Sequence, residues 1–401
     1  MDLLSGQPYW FYKNGVLHAY PFLTENIDEE VVIMGGGITG ALLAWSLTEA
    51  GFPVVVLEKR HIGMGSTSGS TALLQYEIDT TLTELIDLIG EKQAVRSYKL
   101  CVDAIYKAQE ITQSLAVDTH FSLRKSVYYA SKKDDLEMLR NEFDTRRKHG
   151  INVDWWDAPT LREHFPHLKK SGAILSHDGA QVDAYRLAHA LFQHCIKKGA
   201  KIYDTVEVID IQHHQRNVTL ILENGFKIRT KKLVIACGYE SQNYLSKRVV
   251  DLNSTYALVS KPIPQSTLWY QNALLWESAR PYLYLRTTDD KRVLIGGKDE
   301  KFQSAIKRDK LLRSKSRLLE QIVRKLFPEL PFTVDYEWCG TFAETKDGLP
   351  YIGTVHEHPD TYFALGFGGN GILFSVIAAD IITDLLRGRR NQDAPIFRFD
   401  R

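Results

Sequence analysis

The stretch Val31 to Met34 is a short apolar run that breaks on Gly35-Gly36-Gly37-Ile38-Thr39-Gly40 and passes into a segment of helical composition, Thr39 to Ala50. A second apolar run, Pro53 to Leu57, follows and ends on Glu58. Strand, glycine turn, helix, strand is the opening unit of a doubly wound α/β domain, and the spacing Gly35-x-Gly37-x-x-Gly40 has a mechanical meaning there. Gly35 permits the tight turn, Gly37 lets the main chain approach a pyrophosphate, and Gly40 lets helix and strand pack closely. The helix start at Ile38 and Thr39 offers unpaired N–H groups and a partial positive charge to the phosphates. Glu58, at the tip of the second strand, is placed to accept hydrogen bonds from a ribose, and an acid there disfavours a 2′-phosphate. The plain alternative, a glycine-rich turn beside a surface glutamate, does not account for the agreement of position, spacing and terminal acid.

At 401 residues the chain suits two packed domains. Its 50 basic and 49 acidic side chains argue against a nucleic-acid partner, which would require a basic excess to neutralise phosphates. The first residues lack the basic start and apolar run of a signal peptide, which points to a cytoplasmic protein. Cys101, Cys195, Cys237 and Cys339 are far apart, as expected of buried thiols in a reducing compartment. No metal site is expected, since His356 and His358 sit in a polar loop without further ligands. The most apolar stretch, Gly371 to Leu386, carries Asp380 and Asp384 and is too short for a membrane span.

Further along, the chain becomes helical from about 82 to 148, with a strand near Val127 to Ala130. Short strands are expected at 201–203, 206–212, 218–222 and 233–236, after a helix from Arg186 to Lys198. Residues 256–297 are rich in strand character. A long helix over 301–326 carries Lys307, Arg308, Lys310, Arg313, Lys315 and Arg317, a pattern that reads as a solvated face. Tyr362 to Leu365, the turn Gly366-Phe367-Gly368-Gly369-Asn370-Gly371 and a helix from Ile372 then repeat the strand–turn–helix theme.

Four separated motifs carry a family resemblance: the fingerprint with its Glu58-Lys59-Arg60 ending; the hydroxyl-rich tract Gly65-Ser66-Thr67-Ser68-Gly69-Ser70-Thr71; Gly179 to Leu187 with Val208 beyond it; and Trp338-Cys339-Gly340 with Thr345 to Gly353 and Gly366 to Ile372. Together they resemble the glycine and D-amino-acid oxidase-like FAD-dependent oxidoreductases, which include sarcosine and glycine oxidases. The fingerprint alone does not separate FAD from NAD; the other three motifs point to FAD, and the offset of Cys339 from the family's attachment position points to non-covalent binding. The resemblance implies an α/β, overall α+β, fold: a Rossmann-like FAD-binding domain built from a discontinuous chain (31–90, 165–255 and 335–401), an antiparallel-sheet substrate domain (91–164 and 256–334) and an N-terminal extension (1–30). It implies that Thr67, Ser68 and Thr71 lie along the cofactor, that the Val208 main chain meets the adenine, and that Gly238, Gly366, Gly368, Gly369, Asn370, Gly371 and Ile372 complete the site. The N–H groups at the start of the last helix would favour the negative charge that a reduced flavin gathers.

The substrate is less constrained. Relatives acting on amino acids commonly clamp a carboxylate with arginine, but the two positions where the family patterns place it hold Phe342 and Ala72 here. Arg286 is the candidate replacement, because strand alternation puts it on one face with Tyr282 and Tyr284. A solvent-facing ladder is the alternative for those three, and Arg292 is expected at the surface. Gln75, Tyr76 and Glu77 are candidates for the flavin face or for local packing. Leu294 stands where sarcosine oxidase-like members carry a lysine over the flavin, and Cys339 is one residue out of register for covalent attachment. The expected activity is oxidation of a C–N bond in a small amine or amino-acid-like substrate, with oxygen or another acceptor taking the electrons. An NAD-linked dehydrogenase and a non-catalytic flavoprotein are the rivals. Tyr9, Trp10, Phe11 and Tyr12 are expected to dock on their own domain or to meet a partner, and oligomeric state is left open.

Overall fold

The computed structural model describes residues 2–302 and 304–401. Strand Ile27–Met34 is buried over its apolar half and forms the axis of an eight-stranded sheet. Burial of both faces requires a continuous apolar run in place of alternation. Lys201–Tyr203, Val54–Leu57, Ile27–Met34 and Lys227–Ile235 run parallel in that order, and Thr361–Leu365 adds a further parallel partner to Lys227–Ile235. Val218–Leu222 and Val208–His213 extend the sheet antiparallel. Helix Ile38–Glu49 packs between helices Gly371–Leu386 and Ala184–Lys197, while Glu91–Ser114 lies against Gly371–Leu386. Gly368–Leu386 has the length and hydropathy of a membrane-crossing helix, yet 67% of that window is buried inside the fold.

The second domain is a nine-stranded sheet. Its strands run Leu4–Gly6, Val334–Glu344, Asp251–Ser260, Val293–Glu300, Leu283–Thr287, Leu274–Glu277, Ser126–Tyr129, Gly172–Ser176 and Val153–Asp157. All neighbours are antiparallel except Leu274–Glu277 with Ser126–Tyr129. Alternation divides its central strands. Tyr256, Leu258, Leu283, Leu285, Val293 and Ile295 bury against helix Ala305–Leu326 through Leu319 and Val323, whereas Ala257, Val259, Tyr284 and Leu294 face the first domain. Leu4–Gly6, Gly172–Ser176, the first half of Asp251–Ser260 and Val334–Glu344 beyond its first residue thus fall outside the segments expected to form this sheet, because pairing partners far away in sequence recruit them.

Two charged segments are more buried than composition suggests. Arg308 is fully buried and donates to Thr341 Oγ1 at 3.1 Å and to the Asp2 carbonyl at 3.2 Å, so the basic helix is solvated on one side only. Arg292, expected at the surface, is partly covered and pairs with Asp290 at 2.6 Å and Asp335 at 2.5 Å. The N-terminal extension docks on its own chain. Leu4–Gly6 pairs with Val334–Glu344, Tyr9 and Trp10 are buried, and Trp10 Nε1 donates to the Ser70 carbonyl at 2.6 Å.

Candidate active site

A single long cleft runs between the two sheets, from the fingerprint to the second glycine-rich turn. At its first end the glycines are demanded by neighbouring atoms. A Cβ on Gly40 would lie 1.9 Å from the Gly35 carbonyl oxygen, and one on Gly35, where φ is +117°, would lie 2.2 Å from the Ala236 carbonyl oxygen. Gly36, which the spacing rule passes over, is equally constrained, since its Cβ would sit 2.7 Å from that of Glu58. Glu58 lines the cleft and accepts from the Gly36 N–H at 2.7 Å and the Arg60 N–H at 2.8 Å, one on each oxygen. Burial pushes its carboxyl above the usual range, against those two N–H donors. Each carboxylate oxygen keeps a second lone pair for a hydroxyl donor.

The N-cap residue of helix Ile38–Glu49 is Gly37, which has no side chain to cap it, and Gly37, Ile38 and Thr39 line the cleft there, the Ile38 N–H being taken by Thr67 and not unpaired as expected. Thr67 Oγ1 accepts from the Ile38 N–H at 2.9 Å, tying the hydroxyl-rich tract to the fingerprint. Gly65, Ser66, Thr67 and Thr71 line the middle of the cleft. Val208 and Gly238 line it beside Glu58, as does Glu240, which the motifs did not single out. Burial alone would raise the Glu240 carboxyl, but Arg60 at 2.9 Å and Lys59 at 2.9 Å hold it down to about 2. Lys59 and Arg60 are therefore organised around that acid.

At the far end, Gly368 to Ile372 line the cleft and open helix Gly371–Leu386, which also lacks a side-chain cap. Asn370 Nδ2 donates to the carbonyls of Gln75 at 2.7 Å and Glu77 at 2.8 Å, fixing the helix start to the 75–77 segment. That segment rests on a buried network. Glu77 accepts from Ser176 Oγ at 2.6 Å and lies 3.5 Å from Arg146, which also pairs with Glu142 at 2.7 Å. Tyr76 belongs to the same network through Ser176. Asp79 accepts from Tyr282 Oη at 2.7 Å and the Gly369 N–H at 3.0 Å, joining substrate sheet and glycine turn.

Four expected site residues do not line the cleft, the first being Gly40, which packs against the Gly35 carbonyl instead. Arg286 does not reach the cleft: it is fully buried, its Nη1 donates to the carbonyls of Ala72 at 2.5 Å, Thr71 at 3.2 Å and Val182 at 3.2 Å, and its guanidinium lies 5.2 Å from the Trp10 ring. Alternation correctly grouped it with the tyrosines, but the N-terminal helix covers that part of the face. Ser68 turns inward to the Gly65 carbonyl at 3.1 Å, and Gly366, at φ +80°, packs against Thr345 and Val250 instead of lining the cleft.

Tyr282 and Tyr284 do line the cavity, with Thr255, Trp276, Asp299 and Phe342. Burial raises both phenols well above the ordinary tyrosine range, the nearby Asp79 and Asp299 carboxylates adding to it. Gly296 makes room for Tyr284, since its Cβ would fall 2.2 Å from Tyr284 Oη. Leu294 is fully buried, and Cys339 faces the other side of the sheet, its Sγ 3.5 Å from Asp309 Oδ1. His358 bonds to His213 at 3.2 Å and to the Tyr244 carbonyl at 2.6 Å; no metal-binding group of three is found among the described residues.

A dinucleotide-type parallel sheet facing a nine-stranded sheet across one cleft is the architecture of an enzyme that holds a dinucleotide beside a substrate cavity. The chain belongs to the DAO family of FAD dependent oxidoreductases, which it matches over residues 30–385. It is 25% identical over 381 residues to gamma-glutamylputrescine oxidoreductase of Escherichia coli (strain K12), covering 91% of this chain and 85% of that protein. It is also 25% identical over 373 residues to glycine oxidase of Geobacillus kaustophilus (strain HTA426), covering 89% and 92%. The crystal structure of glycine oxidase from Geobacillus kaustophilus superposes with a TM-score of 0.76 at 22% identity, over 92% of this chain and 96% of that one. The protein is an FAD-dependent oxidoreductase. The residues present fit that cofactor: the glycine cradle, the open lone pairs of Glu58 and two helix starts whose own N-cap residues make no side-chain cap lie along one cleft.

Proposed function

We propose that this protein oxidises a C–N bond of a small amine or amino-acid-like substrate, passing the electrons on to oxygen or another acceptor. FAD, when bound, supplies a hydride acceptor at its N5 atom. The observation that carries the reading is the cavity at the Gly368–Ile372 end of the cleft, walled by Trp276, Tyr282 and Tyr284 on the nine-stranded sheet. The relatives named for amine and amino-acid substrates support it.

The tyrosines act by shape. Both remain protonated at neutral pH, so they donate hydrogen bonds and exclude water without serving as bases. Asp79 positions Tyr282 and the Gly369 N–H together, so the cavity wall and the glycine turn keep one geometry. The uncapped start of helix Gly371–Leu386 offers main-chain N–H groups and a partial positive charge where negative charge gathers on reduction. The buried Glu77–Arg146–Glu142 network holds the 75–77 segment against which Asn370 is anchored. We place the reaction in the cytoplasm, a setting in which the free thiols of all four cysteines are stable.

An anaerobic screen of amines, N-methyl amino acids and D-amino acids for bleaching of the flavin absorbance tests this. Bleaching by at least one of these is expected. If all fail while dithionite bleaches the flavin, the C–N assignment is wrong.

A further inference from the structure

The inference rests on the amine or amino-acid reading and narrows its substrate class. Strand Val293–Glu300 enters the sheet with Leu294 and Gly296 on the cavity side. Strict alternation would put Lys298 on that side next. Instead the pairing with Asp251–Ser260 slips: Tyr256 faces Gly297 and Ser254 faces Glu300, so Lys298 and Asp299 together lie opposite Thr255. Such a bulge re-aims the side chains beyond it. Gly297 at φ +130° and Lys298 at φ +60° take up the distortion. As a result Asp299, and not Lys298, lines the cavity with Tyr282, Tyr284 and Trp276.

Asp299 Oδ1 is buried and has no hydrogen-bond partner among the described residues. A largely buried carboxylate with one oxygen left unpaired is costly unless something supplies the opposite charge. Among the described residues no basic side chain lines the cavity to supply it, and Lys315, whose charge acts on Asp299 from outside, is held by the Lys298 carbonyl and Glu300. Lys59 and Arg60 are the basic side chains lining the cleft among the described residues, and both are held by Glu240 at its opposite end. The positions where the family resemblance places a carboxylate-binding arginine are Phe342 and Ala72, both at the cavity and both apolar. Aromatic walls add to the preference, because ring faces attract cations, while the Tyr282 hydroxyl is already donated to Asp79. Burial pushes the Asp299 carboxyl up to about 7, with the Thr255 hydroxyl and Lys315 opposing and the Asp79 and Glu344 carboxylates adding to it. An arriving cation would stabilise its charged form.

We infer that the cavity selects a cationic amine without an α-carboxylate, its ammonium group held by Asp299 between the Trp276, Tyr282 and Tyr284 rings. Amino acids are rejected because their carboxylate would enter a cavity that presents an acid and no compensating base.

The test is a titration of the holoenzyme with two unreactive probes, tetramethylammonium and benzoate, followed by the shift of the flavin absorbance bands. Tetramethylammonium should bind at least tenfold more tightly than benzoate. Asp299→Asn should weaken tetramethylammonium binding tenfold or more without weakening benzoate, and Asp299→Glu should recover part of the loss. Benzoate binding as tightly as tetramethylammonium in the wild-type protein overturns the inference, whether or not the variants fold. So does an Asp299→Asn holoenzyme with unchanged affinity for the cation. Because neither probe is oxidised, the titration decides the matter separately from the bleaching screen, whose failure would remove the C–N assignment alone.

Discussion

The two ends of the cleft are built on different principles. The end at Gly35–Glu58 is made of main chain. Its glycines are required because carbonyls and a glutamate stem lie within 3 Å of where a Cβ would stand, and its helix start binds through N–H groups that any residue carries. The end at Trp276–Asp299 is made of side chains from separate strands, aimed by sheet alternation and by one bulge. A local motif can encode the first kind of site. The second exists only after the long-range pairing is complete, so substitutions at the two ends should have separable effects.

The largest separation is expected from Gly40→Val. Its added carbons would collide with the Gly35 carbonyl, 1.9 Å from the Cβ position, so the turn must open. The variant should be purified with less than a tenth of the wild-type flavin absorbance per mole, and overpacking should lower stability by about 3 kcal/mol. A fully yellow Gly40→Val protein would break the contrast at its main-chain end.

Arg146→Met tests the support beneath the other end. It leaves Glu142 and Glu77 buried without their partner, a loss of about 3–5 kcal/mol for pairs of this kind. The thermal midpoint should fall clearly, with FAD retained at low temperature. An unchanged midpoint would show that the network does not carry the 75–77 segment.

Asp299 also predicts a pH dependence of stability. Its carboxyl titrates near 3.8 in the unfolded chain and at about 7 in the folded one. Between those values the folded state holds a proton that the unfolded state has released, so stability falls as pH rises through this window. The full shift corresponds to about 4 kcal/mol, which solvent in the cleft reduces to about 2 kcal/mol. Asp299→Asn should therefore raise the melting temperature of the holoenzyme at pH 8 and leave it nearly unchanged below pH 4. Equal shifts at both pH values would contradict the assignment.

The smallest effect is expected from Glu58→Gln. The amide keeps an oxygen acceptor but loses the charge that favours two N–H donors, so FAD affinity should weaken about tenfold, roughly 1.4 kcal/mol. Equilibrium dialysis of FAD measures it, and a loss of a thousandfold or more would mean that Glu58 holds the turn itself through Gly36.

The same contrast explains what the sequence made legible. The glycine fingerprint was visible because it is contiguous and obeys a spacing rule with a steric cause, while the hydroxyl tract and the final glycine turn, also contiguous, were assigned to the cofactor through the family resemblance. Tyr282 and Tyr284 were reachable from strand alternation alone. Arg286 was grouped with them by the same rule and then covered by Trp10, from a helix more than two hundred residues away in sequence. Asp79, Glu240 and Asp299 carried no local signal. Asp299 in particular sits where alternation places Lys298 on the cavity face, and only the register shift opposite Thr255 reverses the two. Gly296-Gly297 was the available hint, since paired glycines inside a strand mark a bulge or a close approach.

The most direct test of this division measures two properties of one protein: flavin content and cation affinity in purified Asp299→Asn. A wild-type complement of FAD with tetramethylammonium binding weakened tenfold or more is the predicted result. Loss of FAD in parallel with the cation, or full retention of both, would contradict the separation of a main-chain cofactor end from a side-chain substrate end.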